Sequence, residues 1–298
     1  MKELLNCRLC PRNCGINRVE GKSGFCRSGA NPKLALASVH MWEEPCISGT
    51  RGSGTVFFSH CNLKCVFCQN FDISQQDFGK EVTIEELAQV FINQQKKGVH
   101  NINLVSPTQY LVQIKQALII AKQKGLNIPV VYNTNGYESV EGLKSLEGLI
   151  DIYLPDFKYA DNELAKKYSG VNDYFEKTSE AILEMYSQTG YPVFDGDGIV
   201  NKGLIIRHLV LPGQLENSKK VLRWIQANIP KDIYISLMCQ YTPMHRACDY
   251  PELNRRIYQN EYDEIIDYFF EAGLENGFVQ ELSSAEEGYI PKFNLEGV

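Results

Sequence analysis

From residue 55 onward, short apolar or β-branched runs alternate with stretches whose apolar residues recur at helical spacing. The runs at 55–59, 101–105, 128–132, 150–154, 204–210 and 233–238 read as strands. Helices are predicted between them. Thr83 with Glu86 three residues on forms a capping box that opens a helix reaching about Lys97. The stretch 108–124 stops at Gly125, and 139–147, 161–189, 216–228 and 260–272 complete the set. Pro155, Pro212 and Pro243 fall just after strands, where proline cannot continue a ladder. Six β/α units in a row imply an α/β fold with a parallel sheet and right-handed crossovers. The pattern leaves open whether that sheet closes part-way into a barrel or stays doubly wound. In either case a ligand binds at the carboxyl ends of the strands. Polar residues gather there: 60–70, Ser106-Pro107-Thr108, Asn133-Thr134-Asn135-Gly136, Asp156-Phe157-Lys158, 207–213 and Gln240-Tyr241.

The residues before this alternation are of another kind. Eight of the ten cysteines lie within the first 68 positions, which argues for metal sites rather than scattered core thiols. The start of the chain has no apolar run of the sort a secretory signal carries, and no stretch is apolar for the length of a membrane span. A cytoplasmic protein is therefore expected, whose thiols stay reduced. The net charge of −6, with no long run of Lys or Arg, argues against nucleic acid as the main partner. At 298 residues the chain can form one large α/β domain and a small appendage. The division expected is 1–50 for a Cys-rich segment and linker and 51–298 for the main domain.

Cys7, Cys10, Cys14 and Cys26 form the first set, spaced C-x2-C-x3-C-x11-C among Pro11, Gly15, Gly21 and Gly24, which let a short chain fold tightly. Four thiolates can close a structural zinc site, or hold an iron–sulfur cluster; spacing does not separate the two. Two glycine-rich stretches are discounted. Gly15-x5-Gly21-Lys22-Ser23 has one residue too many for a phosphate loop, and Gly49-x2-Gly52-x-Gly54 precedes a strand that a dinucleotide fingerprint should follow. In the linker 40–49, Trp42 is expected to pack against the main domain.

The second set, Cys61-x3-Cys65-x2-Cys68, directly follows the run Thr55-Val56-Phe57-Phe58. Thiolates suit iron–sulfur clusters and zinc. A cubane cluster takes four cysteines, so three leave one iron open to a small molecule. The alternative is a zinc knuckle completed by His60 or Cys46. With Phe67 directly before the last cysteine, the motif resembles that of the radical S-adenosylmethionine (SAM) superfamily. The resemblance implies a partial (β/α)6 TIM-type barrel, a 4Fe-4S cluster on Cys61, Cys65 and Cys68, and SAM bound to the open iron. Reductive cleavage of SAM then yields a 5′-deoxyadenosyl radical that abstracts hydrogen.

Within that superfamily, residues 55–245 are similar to pyruvate formate-lyase activating enzyme, through the cluster loop, Thr134-Asn135-Gly136, Asp156-x-Lys158 and Arg207-His208-Leu209-Val210-Leu211-Pro212-Gly213. This implies that Phe67 lies near the adenine, Ser106 and Thr108 near the methionine amino group, and Asn133 and Thr134 near the ribose or a monovalent cation, with Asp156 in the same pattern. Thr108 could instead cap the next helix. Arg207 suits the SAM carboxylate because a guanidinium offers a bidentate fork; an ion pair with Asp156 or Asp151 is the alternative. Strand alternation puts Arg207 and His208 on opposite faces, with Arg207 expected inside. Lys158 either faces substrate or pairs with Asp156. His245 and Cys248 follow the sixth strand, and Tyr241, Cys239 and Cys248 are possible substrate-side groups, with packing as the alternative. The implied function is activation of a glycyl-radical enzyme, with flavodoxin or ferredoxin as electron donor. The alternatives are a radical SAM enzyme acting on a small molecule and a zinc-binding interaction module.

Overall fold

In the computed structural model, which describes residues 2–281 and 291–298, an additional strand precedes the alternation. β1 (Lys33–His40) leads through α1 (Pro45–Ser48) into β2 (Ser53–Phe58). After α2 (Phe71–Ser74) and β3 (Lys80–Glu81) come α3 (Ile84–Lys96), β4 (Ile102–Val105), α4 (Leu111–Gln123), β5 (Val130–Thr134), α5 (Val140–Lys144) and β6 (Ile152–Pro155). The chain continues through α6 (Asn162–Ser169), α7 (Tyr174–Thr189), β7 (Val193–Phe194), β8 (Val200–Leu209), α8 (Leu215–Asn228), β9 (Tyr234–Met238), α9 (Gln259–Glu271) and β10 (Gly277–Val279).

The strand order is β10-β9-β8-β6-β5-β4-β2-β1-β3. From β2 to β10 every neighbour on this path is parallel. β1 runs antiparallel to both β2 and β3, and β7 antiparallel to β8. All six strands expected from the apolar runs are present, and the sheet is the parallel, part-closed α/β barrel. Its two ends, β3 and β10, are not joined to each other among the described residues.

Local chemistry accounts for the helix ends. Thr83 accepts from the Glu86 amide at 3.1 Å while the Glu86 carboxylate accepts from the Thr83 amide at 2.7 Å, so the capping box starts α3 as expected. The single helix expected over 161–189 is two. Gly170, at φ +67°, ends α6 in the left-handed region, and Asp161 caps its start by accepting from the Glu163 amide at 2.9 Å.

The barrel has a floor, and the linker supplies it. Cys46 and Ile47 of α1 pack among the inward side chains Val131, Ile152, Leu154, Val200 and Ile205. These apolar contacts fill the inside of the sheet below the carboxyl ends of the strands. A larger core lies on the outer face, where the helices pack against the sheet. The segment before β1 folds on itself: the Cys7 amide donates to Ile16 O and the Gly15 amide to Cys7 O, both at 2.9 Å. It docks on the α4–α5 side through Ser139 to Leu9 O at 3.1 Å and Gln113 to Ala30 O at 2.5 Å. No described helix is long and apolar enough to cross a membrane.

Candidate active site

A cavity of about 280 Å³ opens at the carboxyl ends of the strands. Cys61, Cys65, Cys68 and Phe67 of the loop after β2 line it, together with Ser106, Asn133, Thr134, Asp156, Lys158 and Arg207. The fold thus brings together all but one of the residues expected to hold the cluster or SAM. Thr108 is the exception: it is buried, does not line the cavity, and lies in a single 3-10 turn without capping it through its side chain. Its hydroxyl donates to Glu138 Oε1 at 2.5 Å, and the Thr134 hydroxyl donates to the same oxygen. Burial pushes the Glu138 carboxyl up to about 7, against the pull of these two hydroxyls.

The cluster loop is held at both ends. His60 and Ser106 are non-glycine residues in the left-handed region, at φ +73° and +56°. Gln109 ties their loops together, its side-chain amide donating to Ser59 O at 3.1 Å, His60 O at 3.0 Å and Ser106 O at 2.8 Å. Each loop sulfur has its own polar attendant. Cys61 Sγ accepts from the Leu63 amide at 3.4 Å and from Asn135 Nδ2 at 3.3 Å. Cys65 Sγ lies 3.0 Å from Ser169 Oγ, and Cys68 Sγ 3.2 Å from Ser74 Oγ. Burial, and after it the neighbouring cysteine, pushes Cys61 and Cys65 up to about 11.

Among the described residues no three Cys, His, Asp or Glu side chains converge on one coordination point. The donor chemistry of the loop nonetheless fits an iron–sulfur cluster with one open iron: three soft sulfurs share a cavity, and neither suggested fourth ligand is placed to join them. His60 is engaged at both ring nitrogens, with Tyr110 Oη at 3.0 Å and Asp77 Oδ1 at 2.6 Å. Cys46 sits in the floor core. Among the described residues, neither His60 nor Cys46 completes a zinc knuckle.

Opposite the sulfurs lies a layer of charge. Arg207 donates through Nε to Asp156 Oδ1 at 2.8 Å, through Nη2 to Asn133 Oδ1 at 2.6 Å, and through Nη1 to Glu43 Oε2 at 3.4 Å. Lys158 also pairs with Asp156. Arg207 and Lys158 both line the cavity and both pair with Asp156. Burial raises the Asp156 carboxyl, but Arg207 and Lys158 outweigh it, so the group ends below the ordinary carboxylate range. Burial wins at Glu43, which lies above that range despite Arg207. His208 points away from the cavity, buried, with Nδ1 2.7 Å from Phe157 O.

The remaining groups sort by position. Phe67 meets Tyr241 edge-on, with ring centroids 5.7 Å apart, and both line the cavity. His245 stacks on Phe71 at 4.9 Å. Cys239 is buried and Cys248 exposed, and neither lines the cavity. Trp42, expected to pack, is 64 % exposed at the cavity rim. Glu43, Glu138 and Gln109 were not singled out from sequence. Glu43 lies in a polar linker with no motif, and the other two act through partners distant in the chain.

The radical SAM superfamily model matches residues 55–225. An uncharacterized protein of Methanocaldococcus jannaschii is 34% identical over 274 residues, covering 88% of this chain and 73% of the relative. A second uncharacterized protein of that organism is 29% identical over 62% of this chain and 55% of the relative. Pyruvate formate-lyase-activating enzyme of Clostridium pasteurianum is 25% identical over 71% of this chain and 84% of its own length. Among solved structures, Streptococcus suis SuiB bound to precursor peptide SuiA superposes with TM-score 0.53 at 15% identity, over 76% of this chain and 48% of SuiB. The FeFe-hydrogenase maturase HydG of Carboxydothermus hydrogenoformans does so with TM-score 0.50 at 11% identity, over 80% of this chain and 56% of HydG. The chain therefore spans about half the length of these two structures, and the likeness concerns the fold alone. With its family model, its 34%-identical relative and its three cysteines on one cavity in agreement, the chain belongs to the radical SAM superfamily.

Proposed function

We propose that this enzyme abstracts hydrogen from a glycine Cα in a partner protein, in the manner of an activating enzyme. The observation that carries the reading is the single cavity on which Cys61, Cys65 and Cys68 face Arg207, Asp156 and Asn133. Similarity to the Clostridium pasteurianum activating enzyme over 71% of the chain supports the choice of substrate class. Cys61, Cys65 and Cys68 would hold the 4Fe-4S cluster, which with SAM supplies, when bound, an electron and a 5′-deoxyadenosyl radical.

The chain's own part is to bind and orient. The Leu63 amide and Asn135 side chain donate to Cys61 Sγ, which favours the thiolate form that ligates metal. Asp156 and Asn133 hold the Arg207 guanidinium by two of its edges at 2.8 and 2.6 Å. The contact to Glu43, at 3.4 Å, is the longest of the three, and it is the edge a ligand carboxylate would take over. Phe67 and Tyr241 give the cavity an aromatic wall suited to a purine ring. Trp42 and Gln240 also line the cavity. An electron would come from a flavodoxin or ferredoxin.

The test is anaerobic reconstitution with iron and sulfide, reduction in the presence of SAM, and mixing with each glycyl-radical enzyme of the source cell. A glycyl-radical EPR signal is expected with one of them. Cleavage of SAM without a radical on any such protein, but with hydrogen loss from a metabolite, would replace the protein substrate with a small molecule.

A further inference from the structure

The four cysteines of the first segment are surrounded by positive charge that has no acidic partner. Arg18 is 1 % exposed, yet none of its contacts is a carboxylate. Its Nε lies 2.9 Å from Gly29 O and Nη2 2.5 Å from the same oxygen. Its Nη1 lies 2.6 Å from Gln109 O and 4.0 Å from Cys7 Sγ. Arg12 sits 3.6 Å above the Phe25 ring and donates through Nε to Asn62 O, while its Nη2 is buried without a hydrogen-bond partner. Lys64 Nζ, 5.4 Å from the same ring, is buried and likewise unpartnered.

Burying positive charge without a counter-ion is costly, and here Arg18 is buried whole while Arg12 and Lys64, half-buried, each carry a buried nitrogen without a hydrogen-bond partner. The carboxyl that Cys10 does face, Glu138, is committed to Thr108 and Thr134 and held up to about 7 by burial. Among the described residues no carboxylate pairs with Arg12, Arg18 or Lys64, and the sulfurs beside them can supply the negative charge. Four thiolates around a divalent ion sum to a dianion.

The chain path agrees. Tight turns close beside the sulfurs, from the Asn13 amide to Cys10 O at 3.1 Å and from the Arg27 amide to Gly24 O at 3.0 Å. Gly24 is required where it stands, because a Cβ there would meet Cys14 Sγ at 2.9 Å. The sulfur of Cys14 thus lies against the turn that carries Cys26. The four side chains are not drawn to one coordination point in the structure; the charge around them is what points to a metal.

We propose that Cys7, Cys10, Cys14 and Cys26 bind one thiophilic divalent ion of the zinc class as a closed tetrathiolate, with Arg12, Arg18 and Lys64 as its counter-charges. The site is separate from the cavity and its ligands are distinct from those of the cluster loop. Arg18 connects the two: its partner Gln109 carries the side-chain amide that pins Ser59, His60 and Ser106.

The experiment uses the full chain with Cys61, Cys65 and Cys68 all changed to Ser, which leaves the first set as the remaining clustered thiols. Elemental analysis of anaerobically purified protein is expected to find about one zinc per chain and no acid-labile sulfide. Adding Cys10→Ser and Cys26→Ser should abolish it. Zinc that survives those two changes, or no zinc before them, overturns the site. Iron with sulfide in place of zinc overturns the mononuclear assignment. Should the five-serine chain fail to fold, cobalt(II) loading of the three-serine chain decides, through thiolate-to-cobalt charge-transfer absorption whose absence defeats thiolate ligation. Arg18→Gln in the three-serine background should release zinc to a chelator about tenfold faster, as loss of an outer-shell partner does, and Arg18→Lys should recover most of the difference. Equal rates in all three would remove Arg18 from the assignment.

Discussion

The two cysteine sets are built on opposite electrostatic plans. Around Cys61, Cys65 and Cys68, each sulfur faces a hydroxyl or amide, and the far wall balances Arg207 and Lys158 against Asp156 and Glu43. Around Cys7, Cys10, Cys14 and Cys26, cations press in without carboxylates, and backbone turns close the chain over the sulfurs. One arrangement leaves room for a ligand that brings its own charges. The other, on the assignment proposed above, suits an ion that draws out the negative charge of the sulfurs. Cysteine count does not distinguish them; the company each thiol keeps does.

The most damaging break in this contrast is Cys65→Ala. SAM cleavage, read as release of 5′-deoxyadenosine, should fall to background, while zinc content stays unchanged. Cys10→Ala should do the reverse to metal content, losing the zinc and keeping the loop's iron. Next in size is Arg207→Leu, which leaves Glu43 without its cation and Asp156 with Lys158 alone inside the barrel. Removing one member of a buried ion pair costs about 3–5 kcal/mol, measurable as a lower denaturation midpoint. An Arg207→Leu chain as stable as the parent would show that the charged layer is solvated rather than buried.

Acid should act on the barrel through His208. Burial lowers this imidazole to about 4, below its ordinary value of 6.5. Between those values the unfolded chain binds the extra proton, so stability is fully present above pH 6.5 and falls as the pH drops toward 4, by at most ~3 kcal/mol. His208→Asn should flatten that slope, and a slope identical to the parent's would assign the acid loss to other groups. The smallest effect expected is that of Thr83→Ala, which removes the cap of α3, far from both cysteine sets. It should cost about 1 kcal/mol with SAM cleavage and zinc content unaltered, and so provides a baseline for the larger changes.

Most of the barrel was legible in the chain because buried parallel strands are continuous apolar runs, and β2, with all its residues buried, is the clearest. The capping box at Thr83 was legible for a local reason, since both partners lie within one turn. The break between α6 and α7 was missed although Gly170 and Asp161 mark it, because helical periodicity runs through both. β7 and β10 are short edge pieces of two and three residues, too brief for a pattern. In the site, residues beside a strand end or a cysteine could be named, whereas Glu43 could not. Its role depends on α1 carrying a polar linker into the barrel, and nothing within ten residues of it announces Asn103, Asn133 and Arg207 as its neighbours. Thr108 was placed correctly along the chain but misjudged in direction, since its hydroxyl serves Glu138 rather than the cavity.

The floor formed by Cys46 and Ile47 bears on the order in which the molecule is assembled. A chain made from its amino terminus delivers residues 43–48 before any of the parallel strands that will surround them. The walls are thus raised around a peptide already in place, and the barrel never has to admit its own stopper. A circular permutant beginning at Ser53 inverts that sequence of events. It must thread α1, and the Glu43 carboxylate with it, into a lumen whose sides are already standing.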